Sequence, residues 1–328
     1  MQNLIVGIDV GGTKVAGGLM TPKGRLLDTT VLPTHAEGGV KRSFLQVRRV
    51  IERLIRRAGG KRNVQGIGIC SPGALDSETG MIINAPNMPG WETLRLAAEV
   101  ERIFGLLARV ENDANAAGLA EVLFGAGRGH KNVFYVTVST GIGTGIIIDG
   151  KVYHGHKGVA GEGGHVCIDY QSPYRCGCGT LGCIEALASG PAMVRRALVE
   201  LEQQYAAPSL LRDSSDSITP EMIAEAARKG DGIAKKVLDE TGFFLGVWLG
   251  GMISLLDPAA IVVGGGVARI GRPLFSKISE TIVHYTINPR IASKIPIFPA
   301  KLQQNVGIYG AAGLFLSNGP VANAGAGK

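Results

Sequence analysis

The sequence predicts an α/β protein built from two similar halves. Each half begins with a strand, a glycine-rich turn, a second strand, a tight turn and a third strand. The two glycine-rich turns are Asp9-Val-Gly-Gly-Thr13 and Thr140-Gly-Ile-Gly-Thr144. Segments with a 3.6-residue apolar period follow in both halves and indicate helices. These observations favour a duplicated α/β fold with a cleft between the two copies.

In the first half, strand-type runs alternate with turn residues and with periodic apolar segments. The spacing of Phe44, Val47, Ile51 and Leu54 places four apolar residues on one helix face, and the prolines between residues 72 and 91 indicate a loop region. The predicted strands are Leu4–Asp9, Lys14–Met20, Arg25–Val31, Val64–Cys70 and Leu106–Glu111, and the predicted helices are Lys41–Ala58, Trp91–Phe104 and Asp113–Phe124.

The second half contains a strong hairpin signal, Asp149-Gly150, after a predicted strand. Predicted strands are Asn132–Ser139, Gly145–Ile148 and Ala260–Val263; predicted helices cover 191–204, 219–229 and 233–255, one segment after Gly271, and Gly307–Leu316. We expect a small domain of residues 1–117 with a C-terminal helix at about 305–318, and a larger domain of residues 118–304. The Gly/Ala/Asn-rich tail 319–328 is expected to be disordered.

Composition excludes several classes of protein. The chain has 328 residues, a formal charge of +7 and 49 glycines without a collagen-like period. It has no signal-peptide pattern and no apolar run of membrane-spanning length, so we expect a cytoplasmic protein that does not bind membranes. Much of the positive charge lies on the helix predicted over Lys41–Ala58. Because no aromatic residues alternate with these charges, a solvated helix face is favoured over a nucleic-acid site.

Three of the five cysteines fall within eight residues, at Cys176, Cys178 and Cys183, and His165 precedes them. Three thiolates and one imidazole are a typical ligand set for tetrahedral zinc. Cys167, His154 and His156 are the alternatives for the fourth ligand. Glu162 and Glu185 flank this segment, so a metal there would order two carboxylates and suggests a polar binding site. Cys70 and Cys167 are expected to be buried free thiols.

Three glycine turns, each beside a strand end, suggest phosphate binding. They are Asp9-Val-Gly-Gly-Thr-Lys14, Thr140-Gly-Ile-Gly-Thr-Gly145 and Gly264-Gly-Gly266. Glycines let backbone N–H groups approach phosphate oxygens, and a carboxylate at a strand end can hold Mg²⁺ through water. A Gly-Gly turn alone is consistent with a simple hairpin. No G-x-x-x-x-G-K-[ST] motif is present, which excludes a Walker-type NTPase.

The segment Glu111-Asn-Asp-Ala-Asn115 lies between a predicted strand and a predicted helix. Asn112 or Asp113 is suited to cap the helix. An aspartate at the carboxyl end of a strand is also well placed to act as a general base in a cleft. Both roles stay open from the residues alone.

Taken together, four motifs resemble those of the ROK family of sugar kinases and repressors, and especially its bacterial glucokinases. They are Asp9-Val-Gly-Gly-Thr-Lys14, Glu111-Asn-Asp-Ala-Asn115, Gly161-Glu-Gly-Gly-His165 and the cluster ending Cys183-Ile-Glu185. The resemblance runs from residue 4 to about 316. It implies an actin-like fold of two ribonuclease H-like domains, and a homodimer or homotetramer.

The resemblance also implies roles for individual residues. Asp113 matches the catalytic base that takes the proton of the sugar 6-hydroxyl. The other implied roles are sugar binding by Gly73, Asn87, Asn112, Glu162, His165 and Glu185; nucleotide binding by Gly11, Gly12, Thr13, Lys14, Thr140, Gly141, Gly264, Gly265 and Gly266, with Asp9 near Mg²⁺; and structural zinc binding by His165, Cys176, Cys178 and Cys183.

The sequence therefore predicts an ATP-dependent hexose kinase that acts on the 6-hydroxyl of glucose. Kinases of the same family that act on N-acetylmannosamine, N-acetylglucosamine, fructose or mannose are the first alternative. A sugar-responsive repressor is disfavoured, because the first glycine turn lies too near residue 1 for a preceding DNA-binding segment and because Asp113 is present. A zinc-binding scaffold without catalysis would leave the three glycine turns unexplained.

Overall fold

Two five-stranded sheets organise the chain, and they share one strand order. In the computed structural model, which describes residues 3–85 and 87–316, the first sheet has the order β3 (Leu26–Pro33), β2 (Lys14–Met20), β1 (Leu4–Val10), β4 (Val64–Ser71) and β7 (Ala108–Asn112). The second sheet has the order β10 (Lys151–Val152), β9 (Ile142–Ile148), β8 (Val133–Val138), β11 (Ala260–Gly264) and β12 (Ile297–Pro299). In the first sheet β1 pairs antiparallel with β2 and parallel with β4. In the second sheet β8 is likewise parallel to β11 and β9 antiparallel to β10. The duplication expected from the two glycine turns is thus present in the topology.

The strands are β1 Leu4–Val10, β2 Lys14–Met20, β3 Leu26–Pro33, β4 Val64–Ser71, β5 Ala74–Asp76, β6 Met81–Asn84, β7 Ala108–Asn112, β8 Val133–Val138, β9 Ile142–Ile148, β10 Lys151–Val152, β11 Ala260–Gly264 and β12 Ile297–Pro299. The α-helices are α1 Gly39–Arg57, α2 Leu96–Phe104, α3 Asp113–Phe124, α4 Ile184–Ala188, α5 Gly190–Gln203, α6 Pro220–Arg228, α7 Gly232–Leu256, α8 Arg272–Ile282, α9 Pro289–Ala292 and α10 Val306–Gly313.

The chain divides into two compact units. Among the described residues, the first comprises 3–131, 145–161 and 302–316, and the second comprises 132–144 and 162–301. The predicted boundary at residues 117–118 lies within α3, whereas the units divide between residues 131 and 132. The predicted tail 319–328 and the last two residues of the predicted C-terminal helix lie outside the described residues.

In the first unit, the first sheet is covered on both faces. Val47, Ile51 and Leu54 of α1 are fully buried, as their helical spacing predicts. Helix α10 lies very close to the sheet, since a side chain at Gly7 or Gly68 would collide with a carbonyl of α10. The parallel register of β1, β4 and β7 aligns Asp9, Cys70 and Glu111. Parallel strands present their carboxyl ends at one edge, so these strands bring polar groups together there.

The second unit is built around β11, whose five residues are all buried, and the 25-residue helix α7. Three α7 glycines, Gly242, Gly246 and Gly250, allow α8 and the segment after it to approach closely, because added side chains there would contact Lys277, Thr281 and Tyr285. No helix among the residues described combines the length and apolar character needed to cross a bilayer.

Several predicted elements differ from those observed. The predicted loop between Pro72 and Trp91 contains the hairpin of β5 and β6, and the helix expected from Trp91 begins only at Leu96. Trp91 is instead a fully buried core residue whose Nε1 donates to Ser43 Oγ at 2.7 Å. Cys70 is buried as expected, but the expectation of burial was wrong for Cys167, which is exposed.

Candidate active site

Asp113 is the first residue of α3, and Asn112 caps that helix. The Asn112 side-chain oxygen accepts hydrogen bonds from the backbone N–H groups of Ala114 and Asn115, at 2.9 and 3.2 Å. Its Nδ2 donates to the Gly73 carbonyl at 3.0 Å. The Asp113 side chain is exposed, and its Oδ1 accepts a hydrogen bond from Ala114 N. Capping therefore belongs mainly to Asn112, and the helix start presents the Asp113 carboxylate at the surface of the first unit.

Glu111 is a buried carboxylate directly before this cap. Its Oε1 accepts from Asn112 N and Asn115 Nδ2, at 2.9 and 3.1 Å, and its Oε2 lies 2.7 Å from His154 Nε2. The hydrogen bond to Glu111 raises the pKa of His154 above its usual value, against the opposing effect of burial. His154, an alternative zinc ligand in the sequence, is thus a partner of Glu111. The pairing was not predicted.

The loops of the first unit that the sequence predicts to bind sugar and nucleotide contact one another. A side chain at Gly12 would meet Asn87 at 3.1 to 3.3 Å, so the first glycine turn packs closely against the Asn87 loop. Gly73 has a φ of +88°, and a side chain there would collide with the Asn84 carbonyl. The Gly11 N–H donates to the Lys14 carbonyl and Thr34 N to the Thr13 carbonyl, which fixes the turn. The first glycine turn is therefore a hairpin that also packs against the loop carrying Asn87.

Asp9, at the end of β1, is held between Cys70 and α10. Cys70 Sγ lies 3.4 Å from Asp9 Oδ1, and a side chain at Gly307 would collide with the Asp9 carboxylate. Burial raises the pKa of Asp9 above its usual value, and the hydrogen bond from Cys70 and the charge of Lys14 lower it less. A carboxylate that is costly to ionise in the absence of a cation is suited to sit beside one.

In the second unit, His165, Cys176, Cys178 and Cys183 place their ligand atoms within 4.8 Å of one another. The Cys178 and Cys183 sulfurs are 3.7 Å apart, and Cys176 Sγ is 3.4 Å from His165 Nδ1. Tetrahedral zinc with bonds of about 2.3 Å to sulfur separates two thiolates by about 3.8 Å. The four residues therefore fit zinc, and they are the only such cluster found among the described residues that offers three or more metal ligands.

The local backbone explains this arrangement of thiols. Cys176 N donates to the Thr180 carbonyl at 2.8 Å, and Gly179 N donates back to the Cys176 carbonyl at 2.9 Å. Gly179, with a φ of +92°, permits this tight turn. A hydrogen bond from the Thr180 backbone N–H lowers the pKa of Cys178 to about 7, while burial raises the pKa of Cys183 to about 12.

Both carboxylates of the predicted sugar site lie near this cluster. Glu162 Oε2 is 3.9 Å from His165 Nε2, whereas the other ring nitrogen, Nδ1, is the one near Cys176 Sγ. Glu185 Oε1 is 3.4 Å from Cys176 Sγ, and its Oε2 accepts from Ile142 N at 2.8 Å. A side chain at Gly141 would lie 2.5 Å from Glu185 Oε2. The second glycine turn is therefore shaped to admit Glu185, a reason that the sequence motif did not reveal.

A cavity of about 650 Å³ opens beside the two glycine turns of the second unit that the sequence predicts to bind nucleotide. Thr140 and Gly266 line it, together with the first residues of α5 and of α6, Gly190 and Pro220. This volume lies within the range of small-molecule sites. Gly265 has a φ of +87° and lies so close to the Val138 carbonyl that no side chain fits. The contribution of α5 and α6 to the cavity, including Arg195 and Val194, was not anticipated.

The predicted site residues are thus divided between the two units. Asp9, the first glycine turn, Gly73, Asn87, Asn112 and Asp113 belong to the first unit; Thr140, Gly141, Glu162, the four metal-ligand candidates, Glu185 and Gly264–Gly266 belong to the second. Within each unit the contacts described above connect several of the residues.

Comparison with known proteins identifies the family. The sequence matches the ROK family over residues 5–318. The chain belongs to the ROK family. It is similar to a glucokinase from Thermotoga maritima, with 34% identity over 312 residues that cover 94% of this chain and 96% of the relative. The fold of this ROK protein is the predicted α/β fold of two actin-like domains.

Among solved ROK structures, a glucokinase from Streptomyces griseus in complex with glucose and AMPPNP has a TM-score of 0.78 and 36% identity, covering 95% of this chain and 98% of its own. Repressors are also relatives. A xylose repressor from Caldicellulosiruptor bescii is 32% identical over 238 residues, which are 71% of this chain and 58% of the repressor. The chain is thus a ROK sugar-kinase-like protein, with glucokinases of similar length among its relatives.

Proposed function

We propose that the protein is an ATP-dependent hexose kinase that phosphorylates the 6-hydroxyl of glucose. The observation that carries the proposal is the exposed carboxylate of Asp113 at the first position of α3, beside an Asn112 side chain whose two ends are already hydrogen-bonded. A carboxylate held at a helix start by a capping neighbour is a suitable general base, because its position is fixed while its oxygens can reach a substrate.

In the proposed reaction, Asp113 accepts the proton of the sugar 6-hydroxyl as that oxygen attacks the γ-phosphorus of ATP. The bond from the γ-phosphorus to the bridging oxygen breaks, and ADP leaves. Such transfers depend mainly on positioning and charge stabilisation. Mg²⁺ would neutralise phosphate charge, and Asp9 is the carboxylate proposed to lie near it. The proposed nucleotide residues of the second unit are those lining the cavity, Thr140 and Gly266, with Gly141, Gly264 and Gly265 shaping its turns.

Zinc has a structural role in this proposal. His165, Cys176, Cys178 and Cys183 would hold it, and it would brace the segment that carries Glu162 and Glu185. Sugar hydroxyls both donate and accept hydrogen bonds, so fixed carboxylates and amides can recognise them. The proposed sugar-binding residues are Gly73, Asn87, Asn112, Glu162, His165 and Glu185.

Glucose is the proposed acceptor because glucokinases are among the relatives that match nearly the full chain. The test is a coupled phosphorylation assay with glucose, mannose, fructose, N-acetylglucosamine and N-acetylmannosamine, comparing kcat/KM. The highest kcat/KM with glucose supports the proposal. A higher value with an N-acetylhexosamine would assign the kinase another sugar. Absence of turnover together with sequence-specific, sugar-relieved DNA binding would make the protein a repressor.

We also propose that the kinase is a homodimer or homotetramer, as the family resemblance implies. Sedimentation equilibrium tests this directly: a single species of monomer mass across the concentration range would contradict it.

A further inference from the structure

The side chains of His154 and Glu111 form a close, partly buried pair directly behind the start of α3. The Glu111 side chain is 4% exposed and that of His154 is 33% exposed, with 2.7 Å between Oε2 and Nε2. The two residues are far apart in sequence: Glu111 ends the buried part of β7, and His154 follows β10 in the segment that returns to the first unit. Nothing in the proposed chemistry uses either side chain.

Both carboxylate oxygens of Glu111 are hydrogen-bonded, and the two bonds at Oε1 come from residues at the start of α3. Oε1 accepts from the backbone N–H of Asn112 and from the side chain of Asn115, a buried residue of that turn. Asn112 in turn caps the helix and bonds to Gly73. His154 satisfies the remaining oxygen. The network therefore surrounds Asp113 in sequence, and the Ala114 N–H that Asn112 caps also donates to Asp113 Oδ1.

We propose that His154 is a positioning residue for Asp113, acting through Glu111 and the first turn of α3. This inference rests on the proposed kinase function. A buried carboxylate oxygen without a partner is costly, so without His154 the Glu111 side chain would take up a proton or turn toward water. Turning toward water removes the acceptor of Asn112 N and Asn115 Nδ2, and protonation leaves Oε1 an uncharged and therefore weaker acceptor for both groups. The first turn of α3 then loses its fixed position, and Asp113, which begins this turn, is displaced as well.

Charges around His154 favour its protonated form. The hydrogen bond and charge of Glu111 act on it from β7, and the charge of Glu78 acts from the turn between β5 and β6. Helix α3, which packs against β10, carries Asp113 and Glu121, and β10 carries Lys151; none of these is among the groups that shift the pKa of His154. The pair consequently combines a charge-assisted hydrogen bond with burial of the carboxylate, which gives it strength and a defined geometry.

The experiment compares His154→Leu with His154→Gln, which can still donate a hydrogen bond, and with His156→Leu as a matched control at an exposed neighbour. We expect kcat to fall about 100-fold in His154→Leu, since an ångström-scale misplacement of a reacting group has effects of this size. The KM for ATP should stay near the wild-type value, because the proposed nucleotide cavity is in the second unit. His154→Gln should recover most of kcat, and His156→Leu should behave as wild type.

A readout independent of activity separates this inference from the proposed function. Hydrogen exchange of the Ala114 and Asn115 amides should accelerate in His154→Leu but not in His156→Leu. NMR titration should show the pKa of His154 falling in Glu111→Gln, because the carboxylate that raises it is gone. If the wild type phosphorylated no sugar, the kinase proposal would fail while the exchange result could still be obtained. Unchanged exchange together with kcat near wild type in His154→Leu would overturn the positioning role.

Discussion

Glu185 Oε2 accepts a hydrogen bond of 2.8 Å from the backbone N–H of Ile142. This bond joins a residue two positions after Cys183, the last cysteine ligand candidate, to the second glycine turn. It explains why Gly141 lacks a side chain, since an added Cβ would lie 2.5 Å from the same carboxylate oxygen. A motif that the sequence assigns to the nucleotide thus also fixes a proposed sugar-binding carboxylate.

Replacing Gly141 with alanine should displace Glu185. Because the clash is with the end of a flexible side chain, the main cost is the lost hydrogen bond from Ile142 N, about 0.5–1.5 kcal/mol in free energy of unfolding, and the shift of the carboxylate should raise the KM for glucose. Gly251→Ala is the matched control, because a side chain there meets nothing within 4 Å. Thermal unfolding and steady-state kinetics measure both effects. Wild-type KM and stability in Gly141→Ala would show that Glu185 does not depend on this close approach.

Cys178→Ser should lower zinc content and glucose affinity together, because the metal is proposed to brace Glu162 and Glu185. Cys167→Ser is the control, since Cys167 is an exposed thiol outside the four-residue cluster. Metal analysis and glucose titration provide the two readouts. If Cys178→Ser lost zinc but bound glucose normally, the bracing role would be excluded and the metal would serve stability alone.

Asp9→Asn should separate stability from activity. Burial raises the pKa of Asp9 in the folded protein above 3.8, so the folded state holds this proton more tightly than the unfolded chain. Ionised Asp9 therefore lowers stability as pH rises from the unfolded value through the folded pKa, and the effect persists at neutral pH. The substitution Asp9→Asn removes this destabilising charge. We expect an equal or higher Tm at pH 7, with kcat about 100-fold lower through loss of a proposed Mg²⁺ partner. A lower Tm with normal kcat would contradict both parts.

Val194→Trp should obstruct the 650 Å³ cavity that Val194 lines. The KM for ATP should rise about tenfold or more, because the indole occupies space that the nucleotide needs and disturbs its fit to the cavity. Glucose binding should stay normal. Leu255→Trp, at a residue of α7 that is 74% exposed, is the control for the added indole. Competition by AMPPNP gives a second measurement. An unchanged KM for ATP in Val194→Trp would place the nucleotide elsewhere.

The elements predicted best are those with local signals. Helix α3 has the predicted bounds, since Asn112 supplies the cap that its residue type suggests. The Asp149-Gly150 hairpin is likewise confirmed: both residues have positive φ and join Ile148 to Lys151. Such features depend on a few adjacent residues, and the sequence displays those residues directly.

Features that depend on distant contacts were missed. The hairpin of β5 and β6 lies in a proline-rich stretch whose core residue, Trp91, is held by Ser43 of α1. The bond between His154 and Glu111 joins residues 43 positions apart. The cavity is lined by helix starts at Gly190 and Pro220, which carry no recognisable motif. In each case the partner is determined by tertiary packing, which no local pattern encodes.

The kcat of Asp113→Asn with saturating glucose and MgATP decides whether Asp113 is the general base. Asp149→Asn, a loop substitution that removes the same charge, is the control. We predict that Asp113→Asn lowers kcat by about 100- to 10,000-fold, with zinc content, Tm and glucose affinity near wild type. A kcat close to that of the wild type in folded, zinc-containing Asp113→Asn would contradict the account.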